Sequence, residues 1–182
     1  TLNIAKDDEL LELAAASGCF ALLIGFESLS PANLATIGKK INVVDEYQNL
    51  IEKIHSRGIN IHGFFIIGLD EDDGSVFKRT VRFAQKMRLE SAGFAIPVPL
   101  PGTELARSLE KEGRIIHTEW SRYVDEIVFE PKLMSRQDLI NGHKWALREF
   151  FKPASILKRI GFAHRDLMLL WLVNLQWWAH FR

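Results

Sequence analysis

Apolar positions in this chain follow two rhythms. Three segments are nearly continuous apolar runs: "CFALLIGFES" from Cys19, "INIHGFFIIGL" from Ile59 and "SAGFAIPVPLPGTEL" from Ser91. Each follows a helix-like stretch that closes at Gly18, at Gly58 or at Arg88-Leu89-Glu90. Uninterrupted runs of this length predict parallel strands buried on both faces. Between them the period lengthens. Tyr47, Leu50, Ile51 and Ile54 fall at i, i+3, i+4 and i+7, and Phe77, Thr80, Val81 and Ala84 form a second helical stripe. Ser30-Pro31 reads as an N-cap followed by proline at the first helical position, Ser75 as the cap of the second stripe, and Gly58 as a helix-terminating glycine. Strand, helix, strand, helix, strand implies right-handed βαβ units.

After Gly102 the pattern changes. "TELARSLEKEGRI" predicts a short helix ended by Gly113, and "EWSRYVDEIVFEP" is aromatic and irregular. Helices are then expected from Ser135 to Phe151, Ala154 to Ile160 and Arg165 to Phe181. Three strands do not close a barrel, so the fold expected is α/β: half of a parallel (β/α) barrel over residues 1–112, with a mostly helical extension over 113–182.

Lys plus Arg and Asp plus Glu are both 23, giving a formal net charge of zero. This argues against nucleic acid held by phosphate contacts. The single cysteine, Cys19, excludes an internal disulfide framework and points to a reducing, cytoplasmic setting. The N-terminal stretch has no basic region and no long apolar core, so it does not read as a signal peptide.

In parallel α/β folds ligands bind beyond the carboxyl ends of the strands. The candidates are therefore Glu27 and Ser28, then Gly68, Leu69 and Asp70, then Pro97 to Thr103. Glycine in a strand marks close approach of a ligand or of another backbone, so Gly63 and Gly68 admit both readings. Glu27 and Ser28 suit a ligand's hydroxyls, or equally a cap for the helix starting at Pro31. The prolines at 97, 99 and 101 remove donors and leave carbonyls free for a flat ring. The acidic run Glu71 to Asp73 reads most simply as a solvated loop favouring the next helix N-terminus. Gly63 to Gly68 has phosphate-loop spacing, but Leu69-Asp70 stand where Lys and Ser/Thr are required. With Asp70 at position one of a calcium loop, Val81 falls where the bidentate Glu belongs. No G-x-G-x-x-G, H-E-x-x-H, C-x-x-C or G-x-S-x-G occurs.

Taken in order, "LLIGFESLSPANLATIGKK", "GINIHGFFIIGLDEDD", "PVPLPGTEL", "EGRI" and "YVDEIVFEP" resemble the later part of a radical S-adenosylmethionine enzyme of the type with an N-terminal cobalamin-binding domain. Each motif is weak alone; the ordered set, from about Asn3 to about Ile160, is specific. The resemblance implies strands four to six of a (β/α)6 partial barrel that binds S-adenosylmethionine. It matches Glu27 and Ser28 to positions that meet the ribose and methionine portion, and Lys39 or Lys40 to a basic position facing the methionine carboxylate. Gly63, Gly68 and Asp70 stand for a deviating form of the fifth-strand motif beside the adenine, and Pro97 and Pro99 for its backbone contacts. No residue is matched to a catalytic role.

The family's cluster motif, C-x-x-x-C-x-x-C, does not occur, and Cys19 cannot replace three thiolates. The four-iron cluster and cobalamin are thus expected only in a full-length parent, with no metal site in this chain. The reading is a C-terminal piece, inert alone, whose partners are the missing N-terminal half of the barrel and a small-molecule substrate. A second reading is a non-catalytic remnant or interaction module working through its C-terminal helices, and a third an independent small-molecule binder. A cysteine motif encoded in frame before Thr1 separates the first reading from the second. "RDLMLLWLVNLQWWAHFR" is too short and interrupted for a membrane span. It suits a helix packed on the barrel, or one lying at a membrane surface, which would make the protein peripheral.

Overall fold

In the computed structural model, which describes residues 2–123, 126–161 and 166–181, three strands form one parallel sheet. They are β1 (Ala21–Glu27), β2 (Asn60–Ile66) and β3 (Ser91–Ala95), in that spatial order. Ile24 pairs with Gly63, which pairs with Ala92. The fold is α/β.

Among the described residues the chain also forms eight α-helices: α1 (Asp8–Ala16), α2 (Pro31–Thr36), α3 (Tyr47–Ser56), α4 (Val76–Lys86), α5 (Glu104–Lys111), α6 (Arg136–Phe151), α7 (Pro153–Ile160) and α8 (Leu167–His180). The start expected for α8, Arg165, lies outside the described residues.

Local chemistry accounts for most of the boundaries. Ser30 Oγ accepts the Asn33 N–H at 3.3 Å and caps α2, with Pro31 at its first position. Tyr47, Ile51 and Ile54 form the buried stripe of α3. Ser135 and Asp138 make a reciprocal capping box at α6. At α4, Ser75 does not cap with its side chain. Instead Asp73 Oδ1 accepts both the Ser75 N–H, at 2.9 Å, and its hydroxyl, at 2.6 Å. The third strand is shorter than its apolar run because Pro97 and Pro99 have no N–H to donate to a ladder.

One sheet face carries Ile24, Phe26, Phe65 and Phe94, packed with α3, α4 and α6 in one continuous core. Phe26 and Phe65 stack at 5.2 Å, and Phe65 and Phe94 at 5.9 Å. The other face is open: Leu23 is 67% exposed and Phe64 40%. Burial on both faces, expected from the continuous runs, therefore holds for one face only, because the packed helices lie on the same side.

The C-terminal helices are fastened by Arg159, which is buried over the Phe150 ring at 3.8 Å. Its guanidinium donates to the carbonyls of Leu89 (2.6 Å) and Glu90 (2.9 Å) and to Asn174 Oδ1 (2.9 Å). Asn174, which interrupts the apolar C-terminal run, is thus fully buried and satisfied. Among the described residues no helix is long and apolar enough to cross a membrane.

Candidate functional site

The carboxyl ends of β1, β2 and β3 lie side by side, since the strands are parallel and adjacent. Each exit is held by a different device.

At β1 the register shifts between Gly25 and Glu27, and Glu27 takes a left-handed backbone, φ 64°. Such a conformation in a non-glycine residue is a local strain of the kind that collects at functional sites. The Glu27 carboxylate folds back over Gly25: a Cβ added there would lie 2.6 Å from Glu27 Oε1. Glycine at 25 thus makes room for a carboxylate on the open sheet face, where Lys39 pairs with it at 3.3 Å. Behind the exit, Asn42 Nδ2 donates to the carbonyls of Gly25 (3.0 Å) and Phe26 (3.1 Å). Tyr47 Oη donates to Phe26 O at 2.9 Å. Burial pushes the Tyr47 phenol well above its ordinary range, so it remains a donor. Ser28 is buried, and its Oγ accepts the Ser30 N–H at 3.0 Å.

At β2 the chain turns at Gly68, φ 102°, with the Leu139 side chain 2.9 Å from any Cβ placed there. Backbone and packing both require glycine. Asp72 Oδ2 accepts the N–H groups of Gly68 (3.0 Å) and Leu69 (3.1 Å), while Oδ1 accepts from Asn33 Nδ2 at 2.9 Å. Asn33 Oδ1 in turn accepts the Glu71 N–H at 3.1 Å. The acidic run is therefore not simply a solvated loop: Asp72 is buried and ties the β2 exit to α2. Burial pushes its carboxyl above the ordinary value, against the pull of these hydrogen bonds.

Asp70, by contrast, accepts from Arg114 Nη1 at 2.8 Å. Arg114 Nε also donates to Glu130 O at 2.8 Å, beside an antiparallel bridge between Ile115 and Phe129. This unites three of the motifs singled out in the sequence: "EGRI" and "YVDEIVFEP" pair with each other and reach the β2 loop. Val124 and Asp125 of the latter lie outside the described residues.

A cavity of about 610 Å³ opens at these exits. Of the residues singled out from the sequence, Lys40, Gly68, Leu69, Asp70 and Pro97 line it, and Asn33 and Phe129 join them. Glu27 and Ser28 stand at the β1 exit without lining it. Gly63 lies mid-strand, where a Cβ would lie 2.8 Å from Leu89 and 3.0 Å from Phe26, so its glycine meets core packing. Pro99 lines a neighbouring cavity. Asn33, Asn42, Tyr47 and Arg114 escaped notice as site residues. Only Asn33 and Arg114 fall inside quoted motifs, and their partners lie 38 to 44 residues away.

The cavity has the size of a small-molecule site and combines apolar walls with a few convergent polar groups. Cys19 donates its thiol to Ala21 O at 3.6 Å, and among the described residues no group of three or more His, Cys, Asp or Glu is placed to hold a metal. These residues do not fit an iron–sulfur cluster.

Comparison with known proteins finds methyltransferases and cyclases among this chain's relatives. The chain is 33% identical over 175 residues to bacteriochlorophyllide d C-12(1)-methyltransferase of Chlorobaculum tepidum, covering 96% of this chain and 38% of the relative. It is 26% identical over 159 residues to hopanoid C-2 methylase of Rhodopseudomonas palustris, covering 87% and 29% respectively. It is 23% identical over 156 residues to anaerobic magnesium-protoporphyrin IX monomethyl ester cyclase of Rubrivivax gelatinosus, covering 86% and 28%. No family model matches the chain. The chain thus spans about a third of the length of the curated relatives it matches. These methyltransferases and cyclases support, at superfamily level, the resemblance carried by the ordered motifs.

Proposed function

We propose that this chain supplies the S-adenosylmethionine-binding half of a cobalamin-type radical S-adenosylmethionine enzyme, with methyl transfer or rearrangement as the reaction of the whole protein. In this reading β1 to β3 are strands four to six of the partial barrel, within residues 1–112, and residues 113–182 form the substrate-side extension. The observation that carries it is the meeting of Lys40, Gly68, Asp70 and Pro97 around one cavity at the exits of adjacent parallel strands. The open sheet face, with Leu23 and Phe64 exposed, supports an N-terminal half-barrel as its cover.

S-adenosylmethionine supplies the reactive group when bound; this chain binds and orients it. Lys40 meets the methionine carboxylate, and Glu27 and Ser28 hold the ribose side. Gly68 and Asp70 border the adenine, with Asp70 held by Arg114, and backbone at Pro97 offers a carbonyl to the ring. No step is assigned to a cluster or to cobalamin through these residues.

Calorimetric titration with S-adenosylhomocysteine tests the reading. Lys40→Ala is expected to weaken binding about tenfold, the scale of one charge-assisted contact. It should leave 5′-methylthioadenosine, which lacks the carboxylate, unaffected. Absence of binding of either compound to the unsubstituted chain would sink the assignment.

A second reading, docking of a membrane surface by the C-terminal helices, is favoured by the outward side of α8, where Met168 is 77% and Leu172 58% exposed. Flotation with anionic liposomes, with and without residues 164–182, tests it. Equal flotation of both forms removes α8 from any such contact.

A further inference from the structure

A second cavity, of about 620 Å³, lies beside the first and shares Pro97 with it as a common wall. Its far wall is one stripe of α6: Arg136, Ile140 and Lys144 follow at i, i+4 and i+8, so they stand on one helix side. A neighbouring stripe of the helix, with Leu139, Ala146 and Phe150, is buried in the core. The helix is therefore fixed, and the Arg136–Lys144 side is turned toward the cavity.

The composition of the lining is unusual. Ile96, Val98, Ile127 and Val128 make the near side apolar. Arg136 is partly buried and Lys144 is exposed at the rim, and among the described residues neither has a carboxylate partner. Among the described residues the carboxylate in the lining is Glu126, which lies 3.8 Å from Arg122. His143, also on this wall, spends its Nε2 on the Phe94 carbonyl at 2.7 Å. Two cations therefore bracket an apolar surface, separated along the helix by ~12 Å at 1.5 Å per residue. Two cations against one carboxylate that already faces Arg122, set beside an apolar wall, suit an anionic ligand whose body covers that wall.

We infer that this second cavity is the substrate chamber, and that it takes an organic acid: an anionic head group on an extended apolar body. The body lies along Ile140, Ile96 and Val128, and the head group meets Arg136 or Lys144. The assignment as substrate chamber rests on the nucleoside reading of the first cavity, because the shared Pro97 wall sets the two ligands side by side.

The test uses the chain itself with a matched pair of fluorescent probes, 1-pyrenebutyrate and its neutral methyl ester, followed by anisotropy. The acid is expected to bind at least about tenfold tighter than the ester, the scale of one charge-assisted pair. Arg136→Gln/Lys144→Gln should lose that preference while binding the ester and S-adenosylhomocysteine as before, which also shows that the variant is folded. Equal binding of acid and ester, or an unchanged preference in the double variant, would overturn the acid assignment. Should the unsubstituted chain prefer the acid yet bind no S-adenosylhomocysteine, the acid site stands and the nucleoside reading fails.

Discussion

Phe64 and Phe65 are neighbours in β2, yet they live on different sides of the sheet. Phe65 is 1% exposed, between Phe26 and Phe94, under helices of this chain. Phe64, 40% exposed, lies over Gly93, whose missing Cβ leaves room for the ring, and beside His62 at 4.5 Å. One face is a finished core. The other is apolar, self-packed only in patches, and continuous with the Glu27 carboxylate at the β1 exit. A strand run that is apolar at nearly every position asks for two covers, and the described residues supply one. The difference separates what this chain needs in order to fold from what it offers to something else.

The largest effect expected is on the covered face. Phe65→Ala should cost about 3–5 kcal/mol by emptying a packed aromatic site. Phe64→Ala should cost about 1 kcal/mol or less, the range of partly exposed positions. Urea unfolding of the two variants measures both. Equal losses would mean that the open face is covered in solution and would erase the contrast.

The covered face was legible in the sequence because its signals are local. The stripe Tyr47, Ile51 and Ile54, the Ser30-Pro31 start and the parallel strand order follow from spacing and capping alone. The site was legible in part. Lys40, Gly68, Asp70 and Pro97 converge because they all follow strand ends or the first crossover helix. What periodicity cannot reveal is which acidic residue of "DEDD" turns inward. Asp72 does, because its partners are two backbone N–H groups and an asparagine 39 residues earlier. Nor does an apolar run disclose that only one of its faces will meet a helix.

Asp72 supplies an effect of intermediate size, where the covered face hands over to the site. Burial raises its folded pKa above the ordinary 3.8. The native state then holds a proton more tightly than the unfolded chain. Its contribution is fully present below pH 3.8 and is lost as the pH rises through the higher folded value. Asp72→Asn should abolish that slope. It should also cost about 1 kcal/mol at low pH, because an amide cannot accept from Gly68, Leu69 and Asn33 together. Chemical unfolding at several pH values between 3 and 7 reads both effects. An unchanged slope would show that another group titrates there.

The smallest effect on stability, and the sharpest on the comparison, is expected from Gly25→Ala. The new Cβ would lie 2.6 Å from Glu27 Oε1, the far end of a flexible side chain, so the carboxylate can swing away. The Lys39–Glu27 pair it disturbs involves a half-exposed lysine and contributes little. The unfolding free energy should change by less than about 0.5 kcal/mol, as at most surface positions. Affinity for S-adenosylhomocysteine should nevertheless fall several-fold, because the displaced group is the one that holds the ribose side in the proposed site. If affinity is unchanged while Lys40→Ala still weakens it, Glu27 belongs to the β1 turn and not to the ligand. If stability falls as far as in Phe65→Ala, the open face is as tightly built as the covered one, and the division of labour between them disappears.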